Sequence, residues 1–522
     1  MNSIRWATWL NSEKTLPWLG AIIAAFIACW VTYQAHGVIN NDGVLYLEVA
    51  RLFDSGLWRE GVATYNWPFY SLLIMFTHKV SGLSLQISAN ALTVIFFSLT
   101  ALGIATLIRE AGGDKKTIVA SFALLFCAPY LVGEILPMVA REHGYWAAQV
   151  WSVVFFMRFL SAGLLKNAFL WGAAALTSVL FRIEGLTYFV LLPVMILWLP
   201  ATPTATRVTL FLKANIVALV LGTMVVAALL LHPTLELKDM GRLGDPVMII
   251  QAVYDQLAFG LANRSEIISQ ALGSYLDDYA MPTLLLGMAY ILALKSLTVG
   301  GLVQSILALS FWKRTKHLMP VSHYKLFAWL LVLSLLNAAI ILTKGFILPK
   351  RILSPIAFVV IIFAAYGITL LIDKLKFESR TGAWRWVMVA TVISLSLQAL
   401  IALRPSTPEH RFERTAVEWL LEQAPPDSRI YFATHRMRFY ANKPPYDEPD
   451  WQLRAHQMQQ AKNQTIAFDG LTFDNYDFLL FNLSKRDAAQ ENLLIPRFGK
   501  PLAIFEGPRG KRILIYSHSQ ND

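Results

Sequence analysis

Apolar residues occur in long blocks between residues 16 and 403, separated by short polar segments. Each block is about 17–25 residues long, the length with which an α-helix crosses about 30 Å of hydrocarbon. One block, 281–311, exceeds one span and contains Lys295, so it is either one tilted helix or a span with a re-entrant segment. We predict about eleven membrane-spanning helices by this length rule, near residues 16–36, 84–108, 117–133, 145–165, 167–182, 185–200, 209–231, 281–311, 325–343, 352–372 and 384–403.

Two shorter apolar segments lie in the first loop that follows a span. Residues 43–57 place Glu48, Arg51 and Ser55 on one helical stripe and apolar residues on the opposite face. A second short apolar run, residues 69–76, follows Trp-Pro. Both segments are too short to cross a membrane, and their periodicity is helical. We therefore predict surface helices within an outer loop at 38–83.

The pattern changes at residue 404, where charged residues become frequent. An amphipathic helix is predicted at 413–422, followed by strand-like runs at 428–433, 476–482 and 512–516. The sequence thus predicts an α-helical polytopic membrane protein with a small C-terminal extramembrane α/β domain. The expected domains are a transmembrane domain at 1–403 and an α/β domain at 404–522.

Composition supports the membrane class. Of 522 residues, 56% are hydrophobic and 15% charged, whereas soluble proteins carry about 25% charged residues. The net charge is +11, of which only +1 lies in residues 404–522. The basic excess therefore belongs to the membrane part, where it fits the positive-inside rule and anionic membrane lipids. A nucleic-acid partner is excluded because no soluble basic domain exists.

Basic loops orient the chain. Loops at 109–116, 313–316 and 374–385 are rich in Lys and Arg, and eleven spans place all three on the side of the N-terminus. That side is predicted to be cytoplasmic. The tail is then periplasmic or luminal, and we expect a bacterial inner (plasma) membrane protein.

The two cysteines, Cys29 and Cys127, fall inside predicted spans, which excludes a disulfide framework and a cysteine metal site.

Asp42 is the first candidate for chemistry. It begins the predicted surface helix in the motif Asn-Asn-Asp-Gly-Val-Leu-Tyr-Leu, residues 40–47. A carboxylate at a membrane surface is well placed to act as a general base on a lipid-borne substrate. The structural alternative is a helix N-cap, a role that Asn40 or Asn41 can also fill.

A second candidate group is Arg141-Glu142-His143, in an outer loop between two spans, with Glu134 upstream. The structural alternative is a polar interfacial loop in which Arg141 and Glu142 pair. Glu142 together with Asp42 would give two carboxylates on one membrane face. Such a pair can deprotonate an acceptor or hold a divalent cation.

Two further groups are charged where apolar runs end. Arg182 and Glu184 interrupt two spans, either as an ion pair in a tight turn or as the wall of a site. Lys344, Lys350 and Arg351 lie on the outer side, against the positive-inside trend. They either snorkel to headgroups or clamp a phosphate, which the guanidinium fork suits.

Taken together, these motifs resemble those of GT-C fold glycosyltransferases, in particular the branch of protein O-mannosyltransferases and lipid A aminoarabinose transferases. The resemblance rests on the order, side and spacing of four motifs. Two positions depart from the family pattern: Gly43 replaces a second acid, and Ile352 replaces a tyrosine. The matching motifs are Asp-Gly-Val-Leu-Tyr-Leu at 42–47, Asn-Trp-Pro-Phe-Tyr at 66–70, Arg-Glu-His at 141–143 and Arg-Ile-Leu-Ser-Pro at 351–355.

The resemblance implies a transfer from a polyprenyl-phosphate sugar donor to a glycan, lipid or protein acceptor, with inversion. Asp42 would be the general base, and Glu142 would orient the acceptor or a cation. Arg351, with Lys350 and Arg182, would neutralise the leaving phosphate. A divalent cation, Mg²⁺ or Mn²⁺, is left open, and no other cofactor is implied. The remaining substrate-binding candidates are Tyr46, Arg141, His143 and Glu184.

Three other functions remain open at this point. A lipid-linked glycan transporter or flippase would show paired halves and charges near the membrane midplane, whereas no internal repeat is visible and the notable charges lie at one face. A polysaccharide polymerase or ligase would rely on a large outer loop with Arg and His. A non-catalytic assembly subunit with a degenerate site would be compatible with Gly43 and Ile352.

Overall fold

The computed structural model describes residues 15–198, 203–231, 245–377, 382–404, 410–442, 475–484 and 494–518. Its helices up to residue 231 are α1 (Leu16–Gln34), α2 (Asn41–Asp54), α3 (Trp58–Thr64), α4 (Phe69–Ser81), α5 (Leu85–Glu110), α6 (Lys115–Phe126), α7 (Glu142–Ala162), α8 (Leu165–Phe181), α9 (Gly185–Leu191), α10 (Thr204–Ala214) and α11 (Ile216–Leu231).

The later helices are α12 (Asp245–Asp255), α13 (Leu261–Leu272), α14 (Ala280–Val299), α15 (Leu302–Thr315), α16 (Val321–Gly345), α17 (Ser354–Phe377), α18 (Ala383–Leu403), α19 (Arg411–Gln423) and α20 (His435–Tyr440). The strands are β1 (Ile430–Phe432), β2 (Phe478–Leu483), β3 (Ala503–Glu506) and β4 (Arg512–Ser517). Short π- or 3-10-helical segments lie at Pro129–Ile135, Pro193–Trp198, Gln256–Gly260, Asp277–Tyr279, Lys350–Leu353 and Pro508–Gly510. The predicted fold class, a helical membrane protein with a small C-terminal sheet, is confirmed.

The chain divides into two compact units. The first comprises Met1–Thr32 and Val49–Arg404, and the second comprises Tyr33–Glu48 and Pro405–Asp522. The second unit therefore contains, besides the tail, a segment from early in the chain that includes Asp42. We call the first the helical unit and the second the tail unit.

The described residues contain six to eight candidate membrane spans by length and composition. Six helical stretches are long and apolar enough to cross a membrane, and two bent helix pairs raise this number to eight. The bends are 46° between α6 and Pro129–Ile135 and 54° between α10 and α11. The predicted total of eleven is not confirmed. α8 and the stretch Gly185–Trp198 are shorter apolar helices, and α7, where a span was predicted at 145–165, is not among the candidate spans.

The long apolar block at 281–311 consists of two helices. α14 ends at Val299 and α15 begins at Leu302, with Gly300 and Gly301 between them. Gly301 has a φ of +111°, and a Cβ there would lie 2.1 Å from Oε1 of Gln304. Only glycine adopts this conformation without strain, so the sequence breaks the block at this point.

Close packing of α7 against α8 places the polar residues at the ends of these helices near one another. A Cβ on Gly144, in the first turn of α7, would lie 2.2 Å from the Phe181 ring at the end of α8. The missing side chain lets the two helices approach closely. Phe181 is itself buried and makes an edge-on contact with Phe69 of α4, with ring centroids 5.0 Å apart.

The tail unit contains a four-stranded sheet in the order β1-β2-β4-β3. β1 and β2 are parallel, whereas β4 is antiparallel to both β2 and β3. The predicted helix and three predicted strands are present. β3 and α20 were not predicted from the sequence.

Both faces of the sheet are covered. Alternating side chains of β2 and β4, such as Leu480 and Ile515, pack on one face against α19 residues that include Val417. Leu479 and Leu514 belong to a second apolar cluster, on the opposite face because strand side chains alternate. Two-sided burial explains why these strands have continuous apolar runs.

The two predicted surface segments are helical, as α2 and α4 show. Glu48, a member of the polar stripe predicted on α2, is buried, with only 7% of its surface exposed. Its carboxylate is neutralised by Arg438, whose Nη2 lies 3.2 Å from Oε1 of Glu48. The periodicity of the sequence shows which residues share a helix face, but it cannot show that a distant arginine pairs with one of them.

Candidate functional site

Asp42 lies in the first turn of α2, which begins at Asn41. The carbonyl of Asn40 accepts the first helical hydrogen bond, from the amide of Val44 at 3.0 Å. Asp42 is thus within the helix and not at its N-cap, and its side chain is partly exposed. A carboxylate in the first turn is stabilised by the helix dipole. Tyr46, one turn later, is buried.

The helical unit brings Glu142 and Arg182 together. Nη1 of Arg182 donates a short hydrogen bond to Oε1 of Glu142, and both side chains are at most 5% exposed. Glu142 begins α7, and Arg182 follows the last residue of α8. The pair exists because these two helices approach closely at Gly144.

Glu184 completes the pairing of Arg182. It accepts hydrogen bonds from Nη2 of Arg182 at 2.6 Å and from Nε at 3.2 Å. Burial alone would raise the pKa of Glu184, but the two-point contact with Arg182 overcomes this and lowers the pKa to about 2. The predicted ion pair in a tight turn is present. Asn337 of α16 supports this turn by donating to the carbonyl oxygen of Glu184 at 3.3 Å.

Arg351 reaches the same carboxylate from another direction. Its Nε lies 3.6 Å from Oε1 of Glu142, and its side chain is 40% exposed. We call Glu142, Arg182, Glu184 and Arg351 the arginine–carboxylate cluster. Arg351 is by far its most exposed member, and therefore the member that a ligand can reach.

The segment that carries Arg351 is held by its surroundings. Nζ of Lys295 donates to the carbonyl of Leu348 at 2.6 Å. Lys295 thereby fixes the backbone two residues before Lys350. Nζ of Lys350 lies 5.2 Å from the centroid of the Tyr130 ring, a cation–π distance. Lys350 and Arg351 thus form one 3-10 turn directly before α17.

The neighbours of Glu142 in the sequence have different partners. Arg141 does not pair with Glu142: its Nη1 donates to the hydroxyl oxygen of Tyr65 at 2.5 Å. His143 is fully buried, and its ring nitrogens lie 3.2 Å from the Thr93 hydroxyl and 3.2 Å from the Ile135 carbonyl. With both ring nitrogens engaged in this way, His143 is suited to holding α7 in place.

Charge in this region favours an anionic ligand over a cation. The arginine–carboxylate cluster has two positive and two negative side chains and is neutral as a whole. Nearby Arg141 and Lys350 are positive and exposed Glu134 is negative, so the region has an excess of positive charge. Both cluster carboxylates are already paired with arginine, so they do not fit Mg²⁺ or Mn²⁺. Among the residues that the structure describes, no three His, Cys, Asp or Glu side chains form a group able to hold a metal ion.

The structure joins several predicted site residues and adds three that sequence reasoning missed. Glu142, Arg182, Glu184 and Arg351 lie in one network, with Lys350 on the same turn as Arg351. The additions are Tyr65, Tyr130 and Asn337, which contact Arg141, Lys350 and the Glu184 backbone. An aromatic residue or an asparagine in an apolar block carries no sequence signal for such a role.

No family model matches the chain, and no curated protein matches it by sequence. Solved structures do match. The crystal structure of apo ArnT from Cupriavidus metallidurans, a lipid A aminoarabinose transferase, aligns with a TM-score of 0.54 at 11% identity, covering 97% of this chain and 99% of that one. The oligosaccharyltransferase of Archaeoglobus fulgidus, tethered to an acceptor peptide, aligns with a TM-score of 0.50 at 12% identity over 98% of this chain and 75% of that one.

Both structures have the GT-C fold of membrane glycosyltransferases, and the alignments span nearly the whole chain. The fold expected from the motif resemblance is therefore confirmed. At these identities the likeness establishes the fold alone, and the activity must be argued from the residues.

Proposed function

We propose that this protein is an integral membrane glycosyltransferase that moves a sugar from a polyprenyl-phosphate donor to a lipid, glycan or protein acceptor. The observation that carries the proposal is the half-exposed Arg351 at the edge of a buried arginine–carboxylate network, in a chain with the GT-C fold. Lipid-linked donors and lipid, glycan or peptide acceptors are used by GT-C proteins of known structure.

Arg351 is the proposed ligand of the donor phosphate. In the reaction, the bond between the anomeric carbon and the phosphate oxygen breaks, and the phosphate departs with the electron pair. A cation stabilises the charge that develops on that oxygen. Glu142 holds Arg351 through Nε, and Lys350 adds a second positive charge on the same turn. Arg182, bonded to two carboxylates and 5% exposed, orients Glu142 without contacting the donor.

Asp42 is the proposed general base. It takes the proton from the acceptor while the acceptor oxygen or nitrogen attacks the anomeric carbon from the face opposite the phosphate, which inverts the configuration. Its side chain is partly exposed in the first turn of α2, where an acceptor can reach it. Tyr46 is assigned to shaping this end of α2. Asp42 belongs to the tail unit and Arg351 to the helical unit, and each role is argued from contacts within its own unit.

A donor that reaches the protein by lateral diffusion in the membrane requires no soluble nucleotide site, and the sequence contains no Walker or GxGxxG motif. We place the active face and the tail unit on the periplasmic side of a bacterial inner membrane, with the N-terminus cytoplasmic. No step is assigned to a metal ion, because the described carboxylates near Arg351 are paired with arginine.

The test is a transfer assay in membranes that contain labelled polyprenyl-phosphate sugars. Wild-type protein is expected to release the sugar from its lipid, and Asp42→Asn is expected to abolish this transfer while expression stays normal. Asp54→Asn is the matched control, since it makes the same chemical change at the other end of α2. Normal turnover by Asp42→Asn would refute the assigned base. Movement of lipid-linked glycan across proteoliposomes without transfer would favour a transporter.

A further inference from the structure

The segment that carries Asp42 is fastened to the tail. Residues 33–48 belong to the same compact unit as the tail and not to the helical unit. Nη1 of Arg414, on α19, donates to the carbonyl of His36 at 2.8 Å. The amide of Ile39 donates to the hydroxyl oxygen of Tyr440, on α20, at 3.0 Å.

A third contact lies on the other side of Asp42. Nη2 of Arg438, on α20, is 3.2 Å from Oε1 of Glu48, with only 7% and 8% of the two side chains exposed. Glu48 follows Asp42 by six residues in one continuous helix, an axial distance of about 9 Å. Asp42 is therefore bracketed between two contacts made by a single short helix of the tail, at Ile39 and at Glu48.

The contacts at Ile39 and at Glu48 restrict different motions. The hydrogen bond at Ile39 holds the chain just before α2 begins, whereas the ion pair at Glu48 acts on the helix itself. A rigid helix fixed at one side chain cannot rotate freely about its axis, so the ion pair sets the direction in which the first turn presents its side chains. The same nitrogen of Arg438 also lies 3.2 Å from Nδ1 of His435, which constrains the arginine from the α20 side.

We propose that Arg438 is a positioning residue for catalysis: through Glu48 it fixes the orientation of α2 and hence the aim of the Asp42 carboxylate. The proposal rests on the proposed function, in which Asp42 is the base. It assigns to the tail a catalytic duty, namely holding the base-bearing helix, in addition to any role in selecting acceptors.

Transfer kinetics provide the first test. In full-length protein, Arg438→Ala is expected to lower kcat roughly 10- to 100-fold, because small misplacements of a reacting group have effects of this size. The KM for the donor should change by less than about twofold, since the proposed phosphate ligands are untouched. Arg438→Lys keeps a cation near Glu48 and should recover part of the loss, and Glu48→Gln should reproduce it. A merely structural arginine would not produce this separation of kcat from KM.

The control variant is Arg429→Ala. Arg429 forms an exposed pair with Asp477 in the same unit, 3.4 Å apart and with side chains 58% and 44% exposed. Its loss should leave both kinetic constants unchanged. Equal effects of Arg429→Ala and Arg438→Ala would overturn the proposal. If Arg438→Ala fails to fold, Arg438→Lys and Glu48→Gln decide the question, and wild-type kcat in both would overturn it.

A thiol-labelling experiment tests the anchoring without relying on activity. Asn41 is exposed at the start of α2, so Asn41→Cys can be labelled once Cys29 and Cys127 are replaced by serine. We expect Arg438→Ala to raise the labelling rate at position 41 at least threefold and Arg429→Ala to leave it unchanged. An unchanged rate in Arg438→Ala overturns the anchoring, whatever the transfer assay gives. If Arg438→Ala raises the labelling rate but the wild-type protein transfers no sugar, the proposed function is refuted and the anchoring is still supported.

Discussion

The helical unit and the tail unit each contain a buried arginine bonded to carboxylate, and the two networks differ in whether they are closed. In the tail unit, Arg436 bonds Glu413 through Nε at 2.6 Å and Nη2 at 2.7 Å, with side chains 5% and 1% exposed. Asn482 and His410 add contacts to the same carboxylate at 3.1 and 3.2 Å. The most exposed of these partners is His410, whose side chain is 28% exposed, and the arginine of this network is buried.

The cluster in the helical unit is open at one edge. Glu142 is as buried as Glu413, but one of its two arginines, Arg351, is 40% exposed. The closed network ties a helix to a sheet and a second helix, which is a structural task. The open network presents a cation whose position is set from behind by a buried carboxylate. Exposure of one member, more than the presence of buried charge, separates a candidate site from a structural tie.

The largest expected effect is on stability, at the closed network. Arg436→Ala leaves Glu413 buried without its cation, and breaking a buried pair in this way costs about 3–5 kcal/mol. Hydrogen exchange on the full chain should show faster exchange in α19 and α20. The exposed pair of Arg429 with Asp477 supplies the control, with an expected cost below about 1 kcal/mol. Similar exchange in the two variants would show that burial does not distinguish them.

At the open network, the effect should fall on activity and not on folding. Arg351→Ala is expected to lower kcat about 10²- to 10³-fold, the usual loss when a group that stabilises developing negative charge is removed. Arg351→Lys should retain an intermediate rate, because it keeps the charge without the planar fork. Assays in membranes with labelled donor measure both. Lys313→Ala, which removes an exposed cation in the last turn of α15, is the control. Unimpaired transfer by Arg351→Ala would remove the proposed phosphate ligand.

Acid should weaken the tail unit in two stages. Burial and nearby Arg438 lower the pKa of His435, so stability is lost as pH falls below about 6.5, its unfolded value. Burial raises the pKa of Glu413, but bonds from His410 and Arg436 lower it overall, so further stability is lost below about 4.5. Hydrogen exchange of β2 and β4 between pH 7 and about pH 3 measures both stages. His435→Gln should remove only the first stage; greater protection of the strands in acid would contradict the sign.

The smallest expected effect is that of a chelator. Because the carboxylates of the open network are already paired, EDTA should change the transfer rate less than about twofold. The same assay run with and without EDTA, and with Mg²⁺ or Mn²⁺ restored, measures this directly. Abolished transfer that is rescued by either ion would show that other carboxylates hold a metal during turnover.

Apolar blocks and strand-like runs gave the fold class because they are local properties of the chain. The helix at α19 and the strands β1, β2 and β4 follow from such periodicity. β3, a four-residue edge strand with alternate residues exposed, was not predicted. The predicted span count is not confirmed, in part because some apolar helices are short or bent, features that depend on packing.

The candidate site was only partly predictable, for a different reason. The pair of Arg182 with Glu184 is local and was expected, but the contact of Arg182 with Glu142 joins residues 40 positions apart. Which carboxylate an arginine selects depends on how the helices pack. For the same reason, sequence reasoning assigned Glu48 to a polar stripe and could not find Arg438, which is 390 positions away.

Gly144 has no side chain, and this absence permits the close approach of α7 and α8 on which the open network depends. Its missing Cβ allows the Phe181 ring to lie 2.2 Å from where that atom would be. Arg182 follows Phe181, and Glu142, two residues before Gly144, carries the opposite charge. A single methyl group at position 144 would act as a wedge between the helices. The pairing of Arg182 with Glu142, which leaves Arg351 at the open edge, thus depends on a close contact that Gly144→Ala would force to shift.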